Sequence, residues 1–289
     1  MSPLSSATLI GSLAILLWAS LALLTAASGA MPPFQLAALT FAVGGLVGLA
    51  YAAARGKLGA LRQPWPVWLH GAGGLFCYHA LYFAALRGAP PAQAGLIAYL
   101  WPLLIVLLSS LLPGEQLTRR HILGALLGLS GVAVLLLGGE AGAAFEIRYA
   151  PGYGCALAAA FVWAGYSVLS RRFAAVPTEA VAGFCLATAL LAALCHLAFE
   201  TTVWPQGAAQ WLAVLGLGAG PVGLAFYVWD IGMKQGDIKW LGVASYAAPV
   251  LSTLLLVATG YAAPSLALAL ACALIVGGAL TATRQGRMK

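Results

Sequence analysis

The 289-residue sequence is 62% hydrophobic and only 7% charged, with a mean hydropathy of +0.96. Soluble domains carry about 25% charged residues, so a water-covered globule is excluded and a lipid bilayer is the expected solvent. The net charge of +7 sits in short basic clusters between apolar stretches, not on an arm or a helix face, which argues against a nucleic-acid partner.

Apolar windows of about 20 residues, the length that spans a bilayer, follow one another along the chain. The first, 7–27, precedes every Lys and Arg, since Arg55 is the first of them. Ala26-Ala27-Ser28-Gly29-Ala30 looks cleavable, but a signal peptide needs a basic n-region, so a retained first helix is expected. The windows 34–54, 67–86, 92–112 and 121–138 come next. A second series occupies 152–170, 179–199, 211–232, 240–260 and 264–283. Turn-forming clusters separate them, among them Met31-Pro32-Pro33, Pro90-Pro91, Pro113-Gly114 and Pro205-Gln206-Gly207. Apolar runs of this length do not alternate as barrel strands do, so the spans are helices. The five cysteines fall inside the windows without metal-ligand spacing and read as small packing residues. No metal or cofactor is expected.

With ten spans, twelve Lys and Arg residues face one side, from Arg55, Lys57 and Arg62 to Arg284, Arg287 and Lys289. Only Arg87 and Arg148 face the other. Basic loops stay in the cytoplasm. Both termini are therefore expected there, with the chain in a bacterial-type inner (plasma) membrane.

The two series resemble each other. Trp18-Ala19 matches Trp163-Ala164, Pro33 matches Pro177, and Tyr82 matches Tyr227, at nearly constant offset. Tyr99-Leu100-Trp101-Pro102 matches Tyr246-Ala247-Ala248-Pro249. A unit of five spans is odd, so its second copy must be inserted upside down. The expected fold is an all-α membrane protein of ten transmembrane helices, a 5+5 inverted-topology repeat with halves 1–145 and 146–289. Inverted repeats are a transporter architecture, with the substrate held at their interface near the midplane.

These features, with the Tyr82-Phe83-Ala84-Ala85-Leu86 ending of the third window and the Pro102 … Gly114-Glu115 pattern, resemble the EamA family of the drug/metabolite transporter superfamily. The resemblance covers essentially the whole chain. It departs in the second copy, where Gly260-Tyr261 stands in place of the usual Gly-Glu. Within the family, the aromatic-rich core looks most like the YddG type of aromatic amino acid exporter. The resemblance implies an exporter working by alternating access.

Trp65, Trp68, Trp204, Trp211 and Trp240 fall near window ends, where interfacial aromatics belong. Trp18, Tyr78, Tyr82, Trp101 and Trp163 fall near mid-window, with Tyr99 and Tyr246 slightly off centre. Their polar tips need partners there. With His79, which shares a helix face with Tyr82, they form the expected substrate site. The competing reading is that they only pack the bundle. Pro102 and Pro249 are expected inside helices, freeing the carbonyls of Ala98 and Ser245 and acting as hinges.

No Lys or Arg lies in the central part of any window. Asp230 stands four residues before Lys234, which reads as a surface pair. A phosphorylated substrate would need deep cations and a cationic drug a deep carboxylate. A neutral or zwitterionic solute with an apolar body fits better, and an aromatic amino acid is such a solute. Burial favours a neutral His79, so facilitated export is expected rather than proton-coupled export. Other amino acids, metabolites or lipophilic drugs are the alternative cargo, and a channel is the alternative mechanism. An intramembrane serine protease, suggested by Gly128-Leu129-Ser130-Gly131 with His196 as base, is a distant third. A monomer is favoured.

Overall fold

The computed structural model describes residues 5–137, 146–260 and 263–283. Gly138 at the end of the fifth window, the division at 145, Tyr261, and the cations Arg284, Arg287 and Lys289 lie outside the described residues.

Among the described residues the chain is helical, with ten helical rods and no strand. They are α1 (Ser6–Ala27), α2 (Pro33–Ala54), α3 (65–88), α4 (Pro91–Ser109) and α5 (Arg119–Leu137). Then come α6 (Ile147–Phe173), α7 (Thr178–Phe199), α8 (Ala208–Gln235), α9 (Ile238–Ala258) and α10 (Leu266–Thr283). Eight are long and apolar enough to cross a membrane, and the apolar stretch Leu266–Ala282 of α10 is shorter. The α3 rod is less apolar because it carries His70, Tyr78, His79 and Tyr82. At 1.5 Å per residue, the 22 residues of α1 rise about 33 Å, close to the hydrocarbon thickness. Leu9, Leu13 and Leu16 on α1 and Leu190, Leu194 and Leu197 on α7 stay exposed. An apolar surface of that kind suits lipid, not water. The chain is a multi-pass membrane protein.

Local sequence sets the ends and bends. Pro33, Pro66 and Pro91 stand in first turns, where a missing N–H is harmless. Asp237 caps α9, accepting from the Lys239 and Trp240 N–H groups. π-helical segments interrupt α3 at Leu69–Gly73 and α8 at Gly220–Leu224. The rods α4 and α9 break between shorter helices, at Tyr99-Leu100 and Ser245-Tyr246. Pro102 and Pro249 therefore stand just after a break, in the first turn of Trp101–Ser109 and Ala247–Ala258, not in a helix interior. The expected free Ser245 carbonyl is also corrected: it accepts from the Ala248 N–H at 3.1 Å. Proline favours a helix start, and the chain satisfies the freed carbonyl by tightening locally.

The rods pack in a patterned way. The most extensive pairs are α1 with α8, α3 with α6, α2 with α7 and α5 with α10, and α4 meets α9 over a smaller contact. In addition α1 packs on α9 and α4 on α6, while α2 packs on α8 and α3 on α7. Exchanging every rod for the one five places away returns these pairs, while the contacts of α5 with α9 and α6 with α8 have no counterpart of similar extent. Glycine permits the closest approaches. A Cβ on Gly11 of α1 would stand 2.8 Å from the Gly232 Cα, and one on Gly152 of α6 would stand 2.5 Å from the Gly88 carbonyl carbon.

Candidate substrate site

α1, α4, α6 and α8 each bring a tryptophan to one place. Trp18 lies 6.2 Å from Trp101, 5.8 Å from Trp163 and 5.0 Å from Trp229, centroid to centroid. Trp101 lies 6.3 Å from Trp163 and 6.0 Å from Trp229, and Trp163 lies 6.4 Å from Trp229. All four rings are thus mutual neighbours at distances that favour aromatic contact. Tyr78 joins them, 5.0 Å from Trp163 and stacked on Tyr82 at 6.1 Å. His79 lies beside Tyr78 at 5.1 Å and also faces Phe41 at 4.9 Å and Phe226 at 6.2 Å.

The polar tips divide into committed and available groups. Trp18 Nε1–H donates to the Pro221 carbonyl at 3.1 Å, in the π segment of α8. Trp229 Nε1–H donates to Ser167 Oγ at 3.1 Å. His79 Nδ1–H donates to the Leu75 carbonyl at 2.7 Å, which leaves Nε2 as an acceptor in the neutral ring. The Trp101 and Trp163 indole N–H groups have no partner among the described residues, yet neither belongs to the fully enclosed unpaired atoms. Tyr78, Tyr82 and Tyr99 are half-buried, and their hydroxyls also lack partners among the described residues. Five donors thus remain free around a set of aromatic faces. Such a site suits a carboxylate on an apolar, cation-tolerant body.

Tyr246 is placed elsewhere. It is fully buried between α5, α9 and α10, where a Cβ on Gly128 would meet its ring at 2.3 Å. Its hydroxyl accepts the Leu103 N–H at 3.1 Å, supplying the bond that the break in α4 leaves open. Trp229 is the aromatic that sequence reasoning missed. Its position beside Asp230, near a span end, disguised it; the spacing Phe226, Trp229, Met233 on one helix face was the available signal.

Below the tryptophans, α8 is tied to the end of α6 and the start of α7. Asp230 accepts from Thr178 Oγ1 at 2.7 Å and Lys234 Nζ at 2.8 Å, and Lys234 also donates to the Val176 carbonyl at 2.8 Å. Both side chains are 4% exposed, so the expected surface pair is a buried one. The reason is that α6 and α7 cover the last turns of α8. Arg171 Nε and Nη2 donate to the Met233 and Gly236 carbonyls at 2.8 and 2.6 Å. Glu115 adds ion pairs to Arg171 and Lys239.

At the other end Glu200 gathers α2, α3 and α7. Its carboxylate accepts the Phe34 and Gln35 N–H groups at 3.1 Å and Arg87 Nη2 at 2.7 Å. His196 Nδ1–H donates to it at 3.1 Å, while Nε2 takes the Thr202 hydroxyl. Burial opposes this charge, but the Phe34 N–H, His196, the Gln35 N–H and Arg87 together hold the carboxyl below the usual carboxylate range. His196 is thus engaged away from Ser130, whose hydroxyl donates to the Leu126 carbonyl on an exposed face of α5.

A multi-pass helical bundle with an aromatic site whose donors have no partner among the described residues is a small-molecule transporter by class. The sequence profile of the EamA-like transporter family matches residues 5–137 and 150–284, and the chain belongs to that family. It is 66% identical over 284 residues to the aromatic amino acid exporter YddG of Ancylobacter novellus, covering 98% of this chain and 99% of that one. It is 28% identical to the aromatic amino acid exporter YddG of Escherichia coli K12, over 97% and 98% of the two chains. A solved crystal structure, also 66% identical, superposes with a TM-score of 0.92 over 97% of this chain and 98% of its own. Both YddG relatives are named as exporters.

Proposed function

We propose that this protein exports aromatic amino acids across the inner membrane, binding them among Tyr78, His79, Tyr82, Tyr99, Trp18, Trp101, Trp163 and Trp229. The observation that carries the reading is the meeting of four tryptophans beside indole and phenol donors that have no partner among the described residues. The substrate ring stacks on the walls at about 0.5–1.5 kcal/mol per pair. Its ammonium sits over aromatic faces. Its carboxylate accepts from the free hydroxyl and indole donors. The names of the two YddG relatives support the same cargo.

The chain spans the membrane ten times, with both termini cytoplasmic and two inverted five-helix halves that rock about the site. The exchange symmetry of the rod pairs, the double match of the family profile and the one-sided distribution of Lys and Arg support this topology. The breaks beside Pro102 and Pro249 serve as hinges. The test is uptake of labelled tryptophan, phenylalanine, threonine and lysine into proteoliposomes. Saturable tryptophan and phenylalanine transport with counterflow is expected. Transport of threonine or lysine in preference would overturn the assignment, and absence of counterflow would indicate a channel.

A further inference from the structure

Trp229 stands between two parts of the molecule. Its ring, fully buried, closes one side of the tryptophan cluster, nearest Trp18 at 5.0 Å. Its N–H reaches across to Ser167 Oγ on α6 at 3.1 Å, and Ser167 is itself fully buried. Ser167 lies one helical turn beyond Trp163, a wall of the site. The next residue, Asp230, begins the polar ties to Thr178, Val176 and Arg171. The Trp229–Ser167 bond is therefore the innermost rung of a ladder that seals α8 against α6 and α7 on the Lys- and Arg-rich side. On the opposite face the tie to α3 runs through Arg87, whose side chain is 50% exposed, to Glu200.

We propose that Trp229 is a positioning residue for transport: it forms the floor of the aromatic site, and its bond to Ser167 holds the cytoplasmic path closed beneath the substrate. This rests on the reading of the aromatic cluster as the substrate site. The physical reason is differential satisfaction of one buried donor. With the path closed, the indole N–H has Ser167 and the ring has three aromatic neighbours. With the path open to the cytoplasm, water can satisfy the N–H instead. Removing the serine oxygen leaves the donor unpaired in the closed form only, and a buried unpaired donor is costly. The equilibrium then moves toward the cytoplasm-open form, and apparent affinity on each face follows the population competent to bind there.

Ser167→Ala and Trp229→Phe test this, each deleting the bond while keeping most of the packing. Half-saturating tryptophan is measured from each face, in right-side-out and inside-out vesicles. The ratio of the periplasmic to the cytoplasmic value should rise about two- to tenfold in Ser167→Ala, which strands the indole N–H, and by less in Trp229→Phe, which removes that donor. That ratio does not depend on how much protein is folded, so a merely structural defect leaves it unmoved. Trp163→Ala, which removes a wall of the site, should raise both values. An unchanged ratio in Ser167→Ala and Trp229→Phe overturns the proposal. Unchanged half-saturation from both faces in Trp163→Ala sinks the aromatic site itself, whatever the ratio does.

Discussion

Glu200→Gln removes a charge on which one end of the bundle depends. α2 begins at Pro33 without a side-chain cap of its own, so its first N–H groups need an outside acceptor. Glu200, 2% exposed, supplies it from the end of α7, accepting from Phe34 and Gln35. A hydrogen bond to a charged group contributes about 1.5–3 kcal/mol against about 0.5–1.5 for a neutral one. Two such bonds weakened to neutral strength cost about 2 kcal/mol. The half-exposed Arg87 partner adds no more than about 1 kcal/mol. Thermal unfolding in detergent, followed by tryptophan fluorescence, should therefore show the midpoint of Glu200→Gln several degrees lower at pH 7. The folded carboxyl is held below its unfolded value of about 4.3. This stabilisation is complete above that pH and is lost as pH falls through the folded value. The wild-type midpoint should fall steeply on acidification below about pH 4.3, and the variant's should fall less. Equal midpoints and equal acid slopes would refute the assignment of Glu200 as the cap of α2.

Asp230→Asn strands the Lys234 ammonium in a buried setting and should cost about 3–5 kcal/mol in the same assay. The double variant Asp230→Leu with Lys234→Met should lose less, and an equal or larger loss would contradict the buried pair. A reporter fused after Lys289 should be cytoplasmic, and a periplasmic signal would break the ten-span topology. In proteoliposomes without a substrate gradient, an imposed pH gradient should give no concentrative transport. Strong proton-driven accumulation that vanished in His79→Gln would show that His79 carries a transported proton.

Most of the bundle was legible because lipid imposes a simple code. Apolar length and turn-forming prolines placed the ten windows within a few residues of the rods, as with 34–54 against Pro33–Ala54. The mid-window aromatics were legible because a polar tip at depth demands a reason. What stayed hidden depended on which neighbour each side chain meets. Tyr99 and Tyr246 match by offset, yet Tyr99 is half-buried with its hydroxyl unpartnered among the described residues, while Tyr246 fills the slot left by Gly128. Asp230 and Lys234 carry the spacing of a surface pair, and only the cover of α6 and α7 makes them a buried one. The helix breaks fall just before Pro102 and Pro249, so each proline stands in a first turn and not in the helix interior where an unbroken apolar window would put it.

The central claim is that the aromatic cluster binds the substrate. It is tested most directly by tryptophan counterflow in proteoliposomes bearing Trp163→Ala or Tyr82→Ala, with insertion and folding verified for each. Both side chains border the site and neither makes a hydrogen bond to the described residues, while Trp163 is also packed in the core, so only folded protein is compared. The account predicts that half-saturating tryptophan rises at least about tenfold in Trp163→Ala, the equivalent of about 1.4 kcal/mol of lost ring contact, and rises in Tyr82→Ala as well. Normal half-saturation and normal rate in both variants would contradict it.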